Sequence, residues 1–261
     1  MMDTFFSPVS DGKLYCRKYG QGLPIILIHG ACVDSDFFHD TAQILARQFS
    51  VYTYDRRGYG RSNSCTDHTI LTQVEDVVGL IRQISTPCHI VAHSGGTVIA
   101  MELAAKHPSL VRKLVLHEPI DTECMDIECD AAKTLDEIGK IIRTGKYNKV
   151  IAKFLPLIGE RDVRARDATD EELQHIGQNC RCFAQHEFDQ FFSYSADASA
   201  LANIPITIGV GEQSRDSHRW TVAHGLAHKL NAGLIFYPGA HNCAFDLPRE
   251  FAYLTAGILL E

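Results

Sequence analysis

The stretch Ile90-Val91-Ala92-His93-Ser94-Gly95-Gly96-Thr97-Val98-Ile99-Ala100 changes character in its middle. Up to His93 it is apolar and rich in β-branched residues, as a buried strand is, and from Gly95 onward it carries a helix-like pattern. Ser94 stands at the corner, with the small residues Ala92 and Gly96 two places to either side. A sharp strand-to-helix turn brings those two positions together, and larger side chains there would force it open. The pattern is that of a nucleophile elbow, with Ala at the first position where Gly is commoner. Gly95 opens the following helix, where free N–H groups and the helix dipole favour developing negative charge. Five residues alone would also suit an ordinary Ser-Gly-Gly turn, so the rest of the chain must decide.

A chain of 261 residues with 45% hydrophobic content can bury one large core. Its 25 Lys and Arg against 32 Asp and Glu give a formal charge of −7 with no basic run, which favours neither nucleic acid nor an anionic membrane as partner. A small molecule is the expected partner. The N-terminal segment is interrupted by Asp3, Asp11, Lys13, Arg17 and Lys18 and has no apolar core, so no secretory signal is expected there. Apolar runs such as Pro24 to Ile28 are too short to cross a bilayer. Nine cysteines, an odd number without framework spacing, suggest reduced thiols and a cytoplasmic protein. Cys180, Cys182 and His186 match no standard zinc spacing and are expected as buried thiols and an ordinary histidine.

Two alternating segments, Thr4 to Phe6 and Lys13 to Tyr19, flank Ser10-Asp11-Gly12 and predict an opening hairpin. Leu23 to Ile28 is apolar on both faces, as a central parallel strand covered by helices must be. An amphipathic helix is expected over Asp36 to Arg47, a strand over Val51 to Tyr54, and a helix over Ile70 to Ile84 with Leu71, Val74, Val77, Val78 and Ile81 inward. Cys88 to His93 and Lys113 to His117 read as strands around a helix that ends at Lys106. This strand-helix alternation implies a parallel sheet. From Ile120 to Asn203 only helical patterns occur, chiefly Asp130 to Arg143 and Glu171 to Phe192. Strands return at Pro205 to Val210 and Leu234 to Tyr237, with helices over His218 to Leu230 and Pro248 to Leu260.

Together these segments resemble the α/β-hydrolase fold over nearly the whole chain. Four signatures occur in that family's order: His29-Gly30-Ala31, then Asp55-Arg56-Arg57-Gly58-Tyr59-Gly60-Arg61-Ser62, the elbow at Ser94, and Pro238-Gly239-Ala240-His241. Each is weak alone, but all four fall at or just after the carboxyl end of an expected strand. The resemblance implies a mostly parallel central sheet with helices on both faces. It also implies a core domain of residues 1–119 and 204–261, with residues 120–203 inserted after the sixth strand as a helical cap.

A serine hydroxyl is a poor nucleophile near neutral pH and needs an imidazole to take its proton. The resemblance gives that role to His241, although one residue fewer than usual separates Gly239 from it. It places the oxyanion hole at the backbone N–H groups of Gly95 and Ala31, and makes His93 a packed neighbour of the nucleophile. Arg57, in the Asp55 to Ser62 loop, is expected to pair with a carboxylate beneath the site.

The orienting acid of the family usually follows the strand Pro205 to Val210, in a Gly-x-x-Asp pattern. Here Gly211-Glu212-Gln213-Ser214 puts a serine at that place, and Asp216 comes two residues later. The strand before the helical segment ends in His117-Glu118-Pro119. Some members of the fold carry the acid at that earlier strand end, so Glu118 is favoured, with Asp216 as the alternative. Either keeps the chain order Ser, acid, His.

The resemblance thus implies a serine hydrolase acting on a small, largely apolar ester, lactone or related acyl compound, without cofactor or metal. Serine at the elbow argues against the dehalogenase and epoxide hydrolase branches, which use aspartate there. Thioesterase, carbon–carbon bond hydrolase and perhydrolase chemistry stay open with the same three residues, as does a non-catalytic small-molecule receptor on the same fold. The absence of a dinucleotide fingerprint or phosphate-loop ending disfavours a nucleotide-binding protein. Phe154, Leu155, Leu157 and Phe183 are candidate acyl-pocket residues, with Phe188, Phe191, Phe192 and Tyr194, against the simpler reading of such stripes as core. The oligomeric state is left open.

Overall fold

The computed structural model describes residues 2–62, 66–84, 86–157 and 170–261, apart from the side chains of residues 155 and 170–173. Eight strands form one sheet: β1 (Met2–Val9), β2 (Gly12–Tyr19), β3 (Leu23–Ile28), β4 (Phe49–Tyr54), β5 (Cys88–His93), β6 (Val111–His117), β7 (Ile206–Gly211) and β8 (Gly233–Tyr237). Their order across the sheet is β1-β2-β4-β3-β5-β6-β7-β8. The opening hairpin pairs β1 with β2 antiparallel, β2 joins β4 antiparallel, and every later pairing is parallel.

The apolar runs of the central strands exist because both faces are covered. Alternate residues separate cleanly. Ile26, Ile28, Ile90, Ala92, Leu114 and Leu116 pack with helices α2 (Ile70–Ile84) and α3 (Gly96–Lys106). Ile25, Leu27, Val51, Val91 and Val115 face the other way, onto α1 (His39–Leu45) and the closing helix α8 (Pro248–Leu260). Two expectations need correction here. The helix expected from Asp36 begins as a 3₁₀ turn, Ser35–Phe38, because the Asp34 side chain accepts from the Asp36 N–H and caps a tighter turn first. Leu71, expected inward, lies in the opening turn of α2 and is 55% exposed, while Leu80 is buried.

Between β6 and β7 the chain makes α4 (Asp130–Ile142), α5 (Tyr147–Leu157) and α6 (Asp170–Cys182). A π-helical turn, Phe183–Glu187, carries α6 into a last helical turn, Phe188–Phe191. No strand occurs in this segment among the described residues. Phe154, Phe183, Phe188 and Phe191 from it belong to the same hydrophobic cluster as Ile28, Ala92 and Leu116 of the sheet. After β7 come α7 (His218–Lys229), β8 and α8. The eight described cysteines are free thiols, and Cys180 and Cys182 are buried. No helix among the described residues is long and apolar enough to cross a membrane.

Candidate active site

Ser94 follows β5 directly and has φ of 51°, a left-handed backbone that a serine adopts only under constraint. The constraint is local. Its N–H donates to the His117 carbonyl at 3.0 Å, and its own carbonyl accepts from the Thr97 N–H at 2.9 Å. A β-carbon on Gly96 would stand 2.6 Å from the carbonyl oxygens of both Ile28 and His29, so only glycine lets α3 start so close to β3. Gly95 opens α3, and a β-carbon there would lie 3.5 Å from the Ala31 nitrogen and 2.9 Å from the Phe191 ring. The backbone of Gly95 and the Ala31 nitrogen, expected to supply the oxyanion donors, therefore lie close together, and Phe191 packs against Gly95.

Glu118 directly follows β6, also at positive φ, 45°. Its Oε2 lies 2.7 Å from His241 Nδ1 and 3.3 Å from Arg219 Nε. Its Oε1 accepts from the Gly211 N–H at 3.0 Å and from the Ser214 hydroxyl at 2.5 Å. Burial pushes this carboxyl upward, but the hydrogen bond from His241 and the positive charge of Arg219 outweigh it and hold the acid well below the usual range. An ionised Glu118 accepts from His241 Nδ1–H and leaves Nε2 as the basic nitrogen of that ring. The serine in the Gly-x-x-Asp position is thus a donor to the carboxylate that stands on the neighbouring strand. Asp216 is exposed, at φ of 68°, and is not among the residues that line the crevice around Ser94.

The loop that carries His241 turns at Gly239, φ 99°, where a side chain would be strained. His93 Nε2 donates to the His241 carbonyl at 2.9 Å, and its ring stacks on Phe37 with centroids 4.5 Å apart. Burial keeps His93 neutral by lowering its affinity for a proton. It steadies the loop.

Ser94, Glu118 and His241 line one crevice of about 30 Å³. Phe154, Leu157 and Phe192 cover it from the helical segment, and His218, Arg219 and Val222 flank it from α7. Of the other aromatic candidates, Phe183, Phe188 and Phe191 are buried core. Tyr194 turns its hydroxyl to Glu102 at 3.4 Å, and the Leu155 side chain lies outside the described residues.

A family model described as alpha/beta hydrolase matches residues 25–252, most of the chain. The chain belongs to the alpha/beta hydrolase family. An uncharacterized hydrolase, YraK, of Bacillus subtilis (strain 168) is 28% identical over 254 residues, covering 94% of this chain and 91% of that protein. The pimeloyl-[acyl-carrier protein] methyl ester esterase of Aeromonas salmonicida (strain A449) is 24% identical over 249 residues, 92% of each chain. The solved enol-lactonase from Burkholderia xenovorans LB400 superposes with a TM-score of 0.75 at 17% identity, covering 98% of this chain and all of that one, which speaks to the fold alone.

In this alpha/beta hydrolase Arg57 and Asp55 tie the Asp55 to Ser62 loop to its surroundings. Arg57 makes a two-pronged contact with Asp76 of α2, both bonds 2.7 Å, and a further one with Asp11 of the hairpin turn at 3.1 Å. Asp55 accepts from Ser35 and Arg61 and so ties β3's following loop to β4's. Sequence reasoning missed Arg219, His218 and Arg56. Arg219, on α7, carried no local signal that could have marked it.

Proposed function

We propose that this alpha/beta hydrolase is a serine hydrolase for small, largely apolar esters or lactones, acting through an acyl-enzyme on Ser94. The contact of 2.7 Å between His241 Nδ1 and Glu118 Oε2, in a crevice that Ser94 also lines, carries this reading. In the reaction the Ser94 oxygen attacks the acyl carbon while His241 Nε2 takes its proton. The resulting oxyanion is met by the N–H groups of Gly95 and Ala31, each worth on the order of 3 kcal/mol of barrier. Collapse expels the alcohol oxygen, which receives the proton from His241, and water repeats the sequence to free the acid and regenerate Ser94. Residues 120–203 act as a cap, and Phe154, Leu157 and Phe192 form the wall on the acyl side. The ester chemistry in the name of one similar protein supports the substrate class. The free thiols accord with a reducing compartment such as the cytoplasm.

A fluorophosphonate probe and an activated aryl ester test the reading together. The wild-type chain should be modified at Ser94 and turn the ester over, and Ser94→Ala should do neither. A chain that binds such esters without hydrolysing them, and whose Ser94 ignores the probe, would be a receptor on the same fold.

A further inference from the structure

The Gly30–Ala31 peptide is held from one side by two donors. Gly30 oxygen accepts from Arg56 NH2 at 3.1 Å and lies 2.9 Å from His29 Nδ1. The tautomer of His29 follows from its other nitrogen, because Nε2 accepts from the Arg56 backbone N–H at 3.0 Å. A neutral ring that accepts at Nε2 carries its proton at Nδ1, and burial keeps His29 neutral. Both bonds to Gly30 oxygen are therefore real donations. Since the peptide is trans, the Ala31 N–H points opposite to that carbonyl, and the Ala31 nitrogen lies close to Gly95.

Arg56 is itself fully buried, and two elements hold it: Gln73 Oε1 of α2 accepts from NH1 at 2.6 Å, and the helical segment supplies a carboxylate. Glu187 accepts from Arg56 NH1 at 2.5 Å and from NH2 at 3.1 Å. The same carboxylate accepts from the Tyr59 hydroxyl at 2.6 Å and from Gln73 Nε2 at 3.0 Å. Glu187 closes the π-helical turn, which takes in one residue more than an α-turn and so rotates the side chains that follow. Glu187 thereby faces inward between Phe183 and Phe188, and Phe191 reaches on to Gly95 and to Arg56, whose guanidinium carbon lies 5.7 Å from its ring centre. A buried ion pair is seldom more stabilising than apolar residues of the same volume. What this pair supplies that apolar residues would not is direction.

We propose that Glu187 is a positioning residue for catalysis: through Arg56 it fixes the Gly30–Ala31 peptide so that the Ala31 N–H is aimed at the oxyanion formed on Ser94. This rests on the serine-hydrolase reading above. The helical segment then completes the oxyanion hole from behind as well as covering the crevice. The acyl carbon and Ser94 never touch Glu187; its effect is confined to the tetrahedral state, where the Ala31 N–H is used.

The test compares Glu187→Gln and Arg56→Lys with Asp76→Asn, which breaks the neighbouring buried pair to Arg57 but touches no part of the Gly30–Ala31 peptide. Each is assayed for thermal midpoint, for kcat/KM on an activated aryl ester, and for affinity toward an aryl trifluoromethyl ketone, which forms an oxyanion on the serine. Glu187→Gln and Arg56→Lys should lower kcat/KM by roughly tenfold, a fraction of what outright loss of a donor costs, and weaken the ketone by the same factor. Asp76→Asn should lower the thermal midpoint and leave kcat/KM within about twofold. If Glu187→Gln does not fold, Arg56→Lys carries the comparison. The proposal is overturned if the folded variants keep full kcat/KM, if kcat/KM falls without the matching change in ketone affinity, or if Asp76→Asn loses as much. Ser94→Ala run in parallel separates the two levels: turnover that survives it removes the serine-hydrolase reading itself, whereas a dead Ser94→Ala beside a fully active Glu187→Gln removes only the role of Glu187.

Discussion

Glu118 combines a left-handed backbone with a fully engaged carboxylate, and the two belong together. A glutamate at φ of 45° is held there only where its surroundings over-determine it, and here four donors converge on its two oxygens. On the proposed mechanism its removal leaves His241 unoriented. Glu118→Gln is expected to lower ester turnover by on the order of 10⁴, as loss of the acid does in a comparable triad. Asp216→Asn, on an exposed side chain, should leave turnover unchanged, and the reverse pattern in a steady-state assay would transfer the role. Ser94, Gly95, Gly96 and His241 are legible in the sequence because each is fixed by its own neighbours: a small residue at a tight corner, a glycine before a turn. Glu118 is legible only as a deficit, through the serine at 214. Arg56 and Glu187 give no local sign at all, since the partners lie 131 residues apart and nothing short of the fold brings them together.

Among the elements, strands are read well from sequence and the helical segment less so. The continuous apolar runs of β3, β5 and β6 mark strands covered on both faces, and the 3.6-residue rhythm marks α2 and α8 at their observed bounds. Helix α5 carries Pro156 in its last turn and follows the break at Gly145, so its pattern is short and interrupted. The π-turn at Phe183–Glu187 is invisible because one added residue in a helix leaves composition untouched. Helix α5 nevertheless bounds the crevice through Phe154 and Leu157. A space of about 30 Å³ has room for a water or two, far below an ordinary ligand site, so on the proposed function an acyl chain would enter only as those side chains give way. Leu157→Ala should move the optimum of kcat/KM toward longer chains in a nitrophenyl ester series from acetate to octanoate. An optimum that stays put would mean the acyl chain lies elsewhere.

At the scale of the whole molecule, the sheet is notable for the histidines it buries. His29, His93 and His117 are all pushed below their ordinary proton affinity by burial, His117 to about 4, and neither ring nitrogen of His117 has a hydrogen-bond partner among the described residues. Well above about pH 6.5 these rings are neutral in both folded and unfolded chains and add no pH dependence. As pH falls from there toward 4, the unfolded chain binds protons that the folded chain refuses, so stability drops through that window. Thermal midpoints measured from neutral pH downward should fall accordingly, and His117→Leu should flatten the slope; an unchanged slope would exclude His117 as a source. The strand order could not be derived from periodicity, which assigns elements but not neighbours. It is seen only in the folded sheet.

The pairing of Ser214 with Glu118 has one further implication. The tips of two adjacent strands share a single niche beside the imidazole, where one furnishes the negative charge and the other a hydroxyl; Ser214→Asp together with Glu118→Ser would place the charge on the other tip. In the history of such a chain the charge can migrate between tips by two point changes, and an ancestor holding both for a time need never have been inactive.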